Sequence, residues 1–351
     1  MIDILEIITS YISGLYTLPW ILVGFIVTWL LSQIIDEEKI NKTMKKIGLV
    51  LLYVFVPLLL FRIFLSFDFH ESEIAFTAVC FGVLGLGYIL TYFYAKSRSK
   101  KLDLKEPERN EFVKTFLTNQ GRSSAFIGGA LLAIPEWRIM AAIYMSIGAI
   151  FLFAIIPYVL SHLHKKDIKS DKESKIKALP WYLKIYPLYL IIFALSGVFL
   201  HSTNGLTVES FGFNISVIFT FFTQLTIPAA LYYVGAGIHP HDLKIKELKK
   251  LFSRKKSKDH WPWVRNIFFL TSVVAPIVTT FFFTIFMLSG FIPSSWFAVI
   301  VIYSILPITS TNMFLVPYGI NKKVTALSVT WTTIICVPIV VFLIAVFSTY
   351  L

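Results

Sequence analysis

The stretch LTNQGRSSAFIGG, residues 117–129, lies where the flanking hydropathy would put a membrane-spanning helix. Asn119, Gln120, Gly121, Arg122 and Ser123 fall at the middle of that span, followed by Ser124, Gly128 and Gly129. An unbroken helix in hydrocarbon has no use for amides and a guanidinium at mid-depth. A helix that stops there does, because its freed backbone groups need partners from protein or from a water-filled hollow. Gly121 weakens helix continuity by about 1 kcal/mol relative to Ala. This reading makes the stretch a helix break.

The rest of the chain sets the context. Of 351 residues, 56% are hydrophobic and 15% charged, with a mean hydropathy of +0.74, so a soluble surface is beyond its composition. A span needs about 20 apolar residues. Scanning gives ten, at 14–35, 45–66, 73–95, 111–133, 137–161, 182–201, 211–237, 265–290, 295–318 and 324–350. The expected class is an all-α polytopic membrane protein. Asp3 and Glu6 precede the first apolar run, which reads as a true span rather than a cleaved signal. Cys80 and Cys336 fall inside spans and read as small buried hydrophobes.

The net charge of +12 does not point to nucleic acid. Of 32 basic residues, 28 lie in the connections after spans one, three, five, seven and nine or in the adjoining span ends, and the intervening connections carry almost none. Basic residues stay cytoplasmic, so the alternation puts both termini outside the cell membrane. The two long basic connections, 162–181 and 239–263, read as solvated cytoplasmic loops obeying the positive-inside bias, with a binding site for anionic lipid headgroups or a regulator as the alternative. His162 with His164, and His239 with His241, lack metal-ligand spacing, and neither a metal nor a cofactor is expected.

Ten spans divide into two groups of five, and an odd number turns the second copy upside down, as in many secondary transporters. The first repeat is then 1–161 and the second 182–351. YVFVPLLLF with Pro57 in span two answers LTIPAALYY with Pro228 in span seven, where Gln224 and Thr226 are further candidates to line a site. Span nine carries its own break, ILPITSTNMFLVPYG, with Pro307, Thr309, Ser310, Thr311 and Asn312. Discontinuous spans four and nine would cross at the midplane, with partly positive half-helix N-termini facing each other. Gly121 and Pro307 are the helix-breaking residues. Asn119, Gln120, Gly121, Arg122, Ser123, Thr309, Ser310 and Asn312 are the candidate substrate-binding residues. The glycines of FGVLGLG (Gly82, Gly85, Gly87) suggest close helix packing.

Arg122 has two readings. No Asp or Glu lies well inside a span, so the guanidinium has no evident buried counter-ion. It either receives an anion, bidentately if that is a carboxylate, or caps carbonyls at the break.

These motifs resemble those of the auxin efflux carrier family, the PIN-like transporters. The resemblance rests on Asn119-Gln120-Gly121 with Gly128 and Gly129 in span four. It rests also on Pro307, Ser310, Thr311 and Asn312 in span nine, Tyr53 to Phe61 in span two, and Pro228, Gly235 and Gly237 in span seven. It implies ten spans as two inverted five-helix repeats, a scaffold and a transport domain, a homodimer, and alternating-access transport of a small organic anion. Two features depart from the family pattern: the run GGALL continues to Pro135, and Arg122 is not part of that pattern. Span nine is also similar to that of sodium-coupled bile-acid symporters, which supplies the alternative of a sodium-coupled organic-anion symporter. Proton coupling would want a titratable intramembrane group, and none is placed for it, so uncoupled efflux driven by membrane potential is the simpler expectation. An enzyme would need paired carboxylates, H-E-x-x-H or a Ser–His arrangement in the spans, and none is present.

Overall fold

A computed structural model describes residues 19–65, 71–123, 131, 134–170, 181–236 and 261–350. Among these the regular structure is entirely helical, without strands. We label ten helices in chain order: α1 Pro19–Ser32, α2 37–65, α3 Glu71–Lys101, α4 Glu108–Thr118, α5 135–170, α6 Trp181–Asn204, α7 Phe213–Ala236, α8 Trp261–Leu288, α9 Ser294–Ile305 and α10 Lys322–Tyr350. Short 3-10 segments follow α6 (Val208–Phe211) and α9 (Ser310–Tyr318).

Four helices, Glu71–Lys101, Pro135–Lys165, Trp261–Leu288 and Lys322–Tyr350, are long and apolar enough to cross a membrane. Shorter apolar helices accompany them, and rows of large apolar side chains face outward. Leu86, Leu90 and Phe93 on α3 and Ile192, Leu195 and Phe199 on α6 form such rows at helical spacing. An exterior of this kind fits insertion into a membrane. The 31 residues of α3 rise about 46 Å at 1.5 Å each, enough to clear a bilayer with its headgroups. Its ends suit the helix dipole, with Glu71 and Glu73 in the first turn and Arg98, Lys100 and Lys101 in the last.

Three helices widen by one π-turn: Leu51–Phe55 in α2, Phe151–Ile155 in α5 and Leu270–Val274 in α8. Each turn is followed two residues on by a proline, Pro57, Pro157 or Pro276. Proline brings no amide hydrogen, and its ring clashes with the carbonyl four residues back. Widening the ladder to five residues relieves that clash and leaves a carbonyl seeking another donor.

The two sequence halves do not pack as two bodies. α1 packs on α7 and α2 on α6, with α2 also touching α7. α3, α4, α5, α8, α9 and α10 form a second group, through α3–α4, α3–α5, α4–α5, α5–α9, α8–α9, α8–α10 and α9–α10 contacts. Aromatic pairs stitch the second group together. Phe112 meets Trp263 edge-on at 4.9 Å, Phe76 meets Trp296 at 5.0 Å and Tyr144 meets Tyr303 at 4.3 Å between centroids. α9 is its centre: every residue from Trp296 to Ser304 is buried. In the first group, Arg62 at the end of α2 donates from Nη1 to Thr223 Oγ1 of α7 at 2.8 Å.

Close backbone approach falls elsewhere than at Gly82, Gly85 and Gly87. A Cβ on Gly82 or Gly87 would meet nothing within 4 Å, and one on Gly85 would make ordinary contact with Phe151 at 3.8 Å. Glycine spacing alone says nothing of which face meets a neighbour, and here Gly82 and Gly87 are exposed. The close contacts are at Gly24, whose Cβ would press on Tyr232 O, and at Gly197, whose Cβ would sit 2.7 Å from Phe61 O. These two glycines let α1 and α6 press against the backbones of α7 and α2. Gly24→Leu should therefore destabilise the protein by about 1–3 kcal/mol or more. Gly82→Leu should be near neutral. Thermal unfolding in detergent reads both, and equal losses would contradict the packing described.

Candidate functional site

Two interrupted segments meet at the middle of the second group. α4 ends at Thr118 rather than continuing to 133, and the 295–318 segment divides into α9 and a 3-10 helix. The local causes are chemical. The Asn119 amide and its Nδ2 both turn to Thr115 O, at 3.1 and 2.7 Å, which closes the last turn of α4. Gln120 folds back too, its Nε2 donating to Phe116 O at 3.3 Å. Gly121 then admits a close neighbour: a Cβ there would lie 2.8 Å from the Leu152 methyls and 3.0 Å from Asn312 Oδ1. In the other segment Pro307 disfavours helical geometry at the residue before it, and Leu306 is extended, with ψ 144°.

The freed backbones pair with each other. Ser123 N donates to Pro307 O at 2.8 Å and Thr309 N to Gly121 O at 3.0 Å, so Arg122 and Ile308 form an isolated antiparallel bridge. Between those bonds, Ile308 N donates to Thr332 Oγ1 of α10 at 3.1 Å. Thr309 caps the following 3-10 helix, its Oγ1 accepting from Thr311 N at 3.3 Å.

Arg122 is half-buried here, and its fork is committed to backbone. Nη1 donates to Leu306 O at 3.2 Å and Nη2 to Thr271 O at 2.6 Å. Among the described residues no carboxylate bonds to it. Two of its five N–H donors are thus used on described residues, and none of the carboxylates among those residues is bonded to offset its charge.

Around the bridge several polar atoms are buried without a protein partner. Asn312 is fully buried and neither Oδ1 nor Nδ2 is bonded. Asn119 Oδ1 and Ser123 Oγ are in the same condition, although Asn119 Nδ2 also donates to Thr325 Oγ1 at 3.2 Å. A buried polar group left unpaired costs about 1–3 kcal/mol, and three such side chains beside one bridge make this place the candidate site. The structure thus brings Asn119, Gly121, Arg122, Ser123, Pro307, Thr309 and Asn312 to the two breaks, with Gln120 turned back on its own helix. Ser310 opens the 3-10 helix. Ser124, Gly128, Gly129, His239 and His241 lie outside the described residues. Gln224 Oε1 and Thr226 Oγ1 are buried and unpartnered on α7, which like α2 touches Ser310–Tyr318. Among the described residues no group of His, Cys, Asp or Glu could hold a metal.

One contributor was missed in the sequence. α10 turns a polar ridge toward the breaks: Thr325 bonds Asn119, Thr332 bonds Ile308, and Ser328 Oγ between them is buried and unpartnered. The spacing of Thr325, Ser328 and Thr332 on one helical face in an otherwise apolar span was the available signal. No family model and no curated protein matches the chain.

Asn312→Leu tests whether those unpaired amides serve a solute. With no ligand it should stabilise the protein, by about 1–3 kcal/mol, because an unpaired polar group is replaced by an apolar one of similar size. It should also abolish any solute-induced rise in melting temperature. A destabilised variant that keeps the solute response would contradict the assignment.

Proposed function

We propose that this chain is a secondary carrier for a small organic anion, working by alternating access around the paired breaks 119–123 and 307–312. The observation that carries the reading is the pairing of Arg122, half-buried and bonded to no carboxylate among the described residues, with fully buried and unpartnered Asn312 against the adjoining Gly121. The guanidinium supplies the positive field while its two bonds hold it in place. Asn312 Nδ2 and Ser123 Oγ supply neutral donors for a carboxylate within that field. Leaving an interior-negative cell is worth about 2.3 kcal/mol per negative charge at 100 mV, which favours efflux without a coupling ion.

The architecture in this proposal is ten spans in two inverted repeats, 1–161 and 182–351, with both termini outside the cell membrane. The packing supports it. Exchanging each helix of one half for its equivalent in the other turns the α1–α7 contact into α6–α2, and both contacts exist. The exchange also relates Gly24 facing Tyr232 O to Gly197 facing Phe61 O. The breaks fall in the fourth helix of each half. The resemblance to auxin efflux carriers points the same way, with α1, α2, α6 and α7 as scaffold and the other six helices as the moving body. A homodimer belongs to the same proposal.

The test is a panel of carboxylates on protein reconstituted in liposomes, read as solute-driven charge movement. A responsive acid should raise the melting temperature. Arg122→Lys should retain charge movement, since the field remains. Arg122→Gln should weaken the apparent affinity about tenfold or more. A response that appears only with sodium would favour the sodium-coupled alternative. No response from any carboxylate would remove the proposal.

A further inference from the structure

The second group contains a helix defect with no remedy inside its own helix. In α8 the π-turn Leu270–Val274 sends the Ala275 amide to Leu270 O, five residues back. In that register the next carbonyl, Thr271 O, should accept from the amide of residue 276. Residue 276 is proline, which has none. Thr271 O is therefore orphaned within the apolar body of the protein, where an unpaired carbonyl is costly. The donor that reaches it is Arg122 Nη2, at 2.6 Å, from a different segment of the chain.

We infer that Arg122 is a positioning residue: its guanidinium stands in for the amide hydrogen that Pro276 lacks, and so ties α8 to the bridge between the two breaks. The same fork holds Leu306 O at 3.2 Å, the carbonyl that leaves the helical ladder where α9 stops. One planar group thus closes two backbone defects on neighbouring helices, a geometry that suits the guanidinium and not a point ammonium. It also places a cation at the C-terminal end of α9, where the helix dipole is partly negative. The strut needs no solute, so it stands or falls separately from the carrier reading.

The prediction is a specific rescue. Pro276→Ala restores an amide at the position from which Thr271 O can be reached. On the full chain in detergent, without added solute, Arg122→Gln should lower the melting temperature, and Pro276→Ala in that background should recover most of the loss. Arg122→Lys should lose less than Arg122→Gln and gain less from Pro276→Ala. The control is Thr332→Val, which removes a different buried bond at the same bridge. Pro276→Ala should leave the Thr332→Val loss unchanged. If Arg122→Gln yields no folded protein, the double variant should recover a monodisperse species on size exclusion. Additive losses, an equal gain in the Thr332→Val background, an Arg122→Gln variant as stable as wild type, or a double variant that stays unfolded would each overturn the inference.

Discussion

The structure turns on the rule that backbone amides and carbonyls cannot be left open in an apolar body. Breaking a helix inside such a body releases several at once. Two breaks brought face to face answer part of the problem, because each supplies what the other lacks: Ser123 N for Pro307 O, and Thr309 N for Gly121 O. The remaining debts fall on side chains. Thr332 takes the Ile308 amide, and Arg122 takes the carbonyls of Leu306 and Thr271. The buried centring of α9 follows, since a segment carrying such a defect must be enclosed by α5, α8 and α10 rather than by lipid.

This economy also explains why the centre is electropositive. A neutral donor could have capped either carbonyl, but a guanidinium reaches both and brings a full charge that no carboxylate among the described residues offsets. In the proposed carrier, structural need and solute attraction would be served by one residue. The amides of Asn119 and Asn312 and the hydroxyls of Ser123 and Ser328 remain with unspent hydrogen-bonding capacity beside that charge. Such an arrangement costs stability.

Much of this was legible in the residues. Apolar composition and the sorting of basic residues into alternate connections spoke for membrane helices, and the rows of outward apolar side chains agree. Amides, glycine and proline in the middle of apolar runs located the two interruptions, because those residue types have local effects on the backbone. Features that depend on which faces meet were not legible. Gly82, Gly85 and Gly87 looked like a packing motif, whereas Gly24 and Gly197, single glycines without a pattern, make the close approaches. The ridge of α10 was overlooked because Ser and Thr in apolar helices commonly bond their own preceding turn, as Thr330 does to Ala326 O. Carbonyl capping at the break was one of the two readings of Arg122, and it does bond Leu306 O; its second carbonyl, Thr271 O, depends on Pro276, some 150 residues away in the chain, and no local pattern links the two.

The most direct measurement is a density map of the protein in lipid nanodiscs, resolved well enough to trace the main chain through 117–123 and 305–312. The account predicts that both segments leave helical geometry there and meet, with Arg122 opposite Ile308 and the guanidinium against the α8 turn. A map in which either segment runs through as a continuous helix, or in which the two pass without touching, would contradict it.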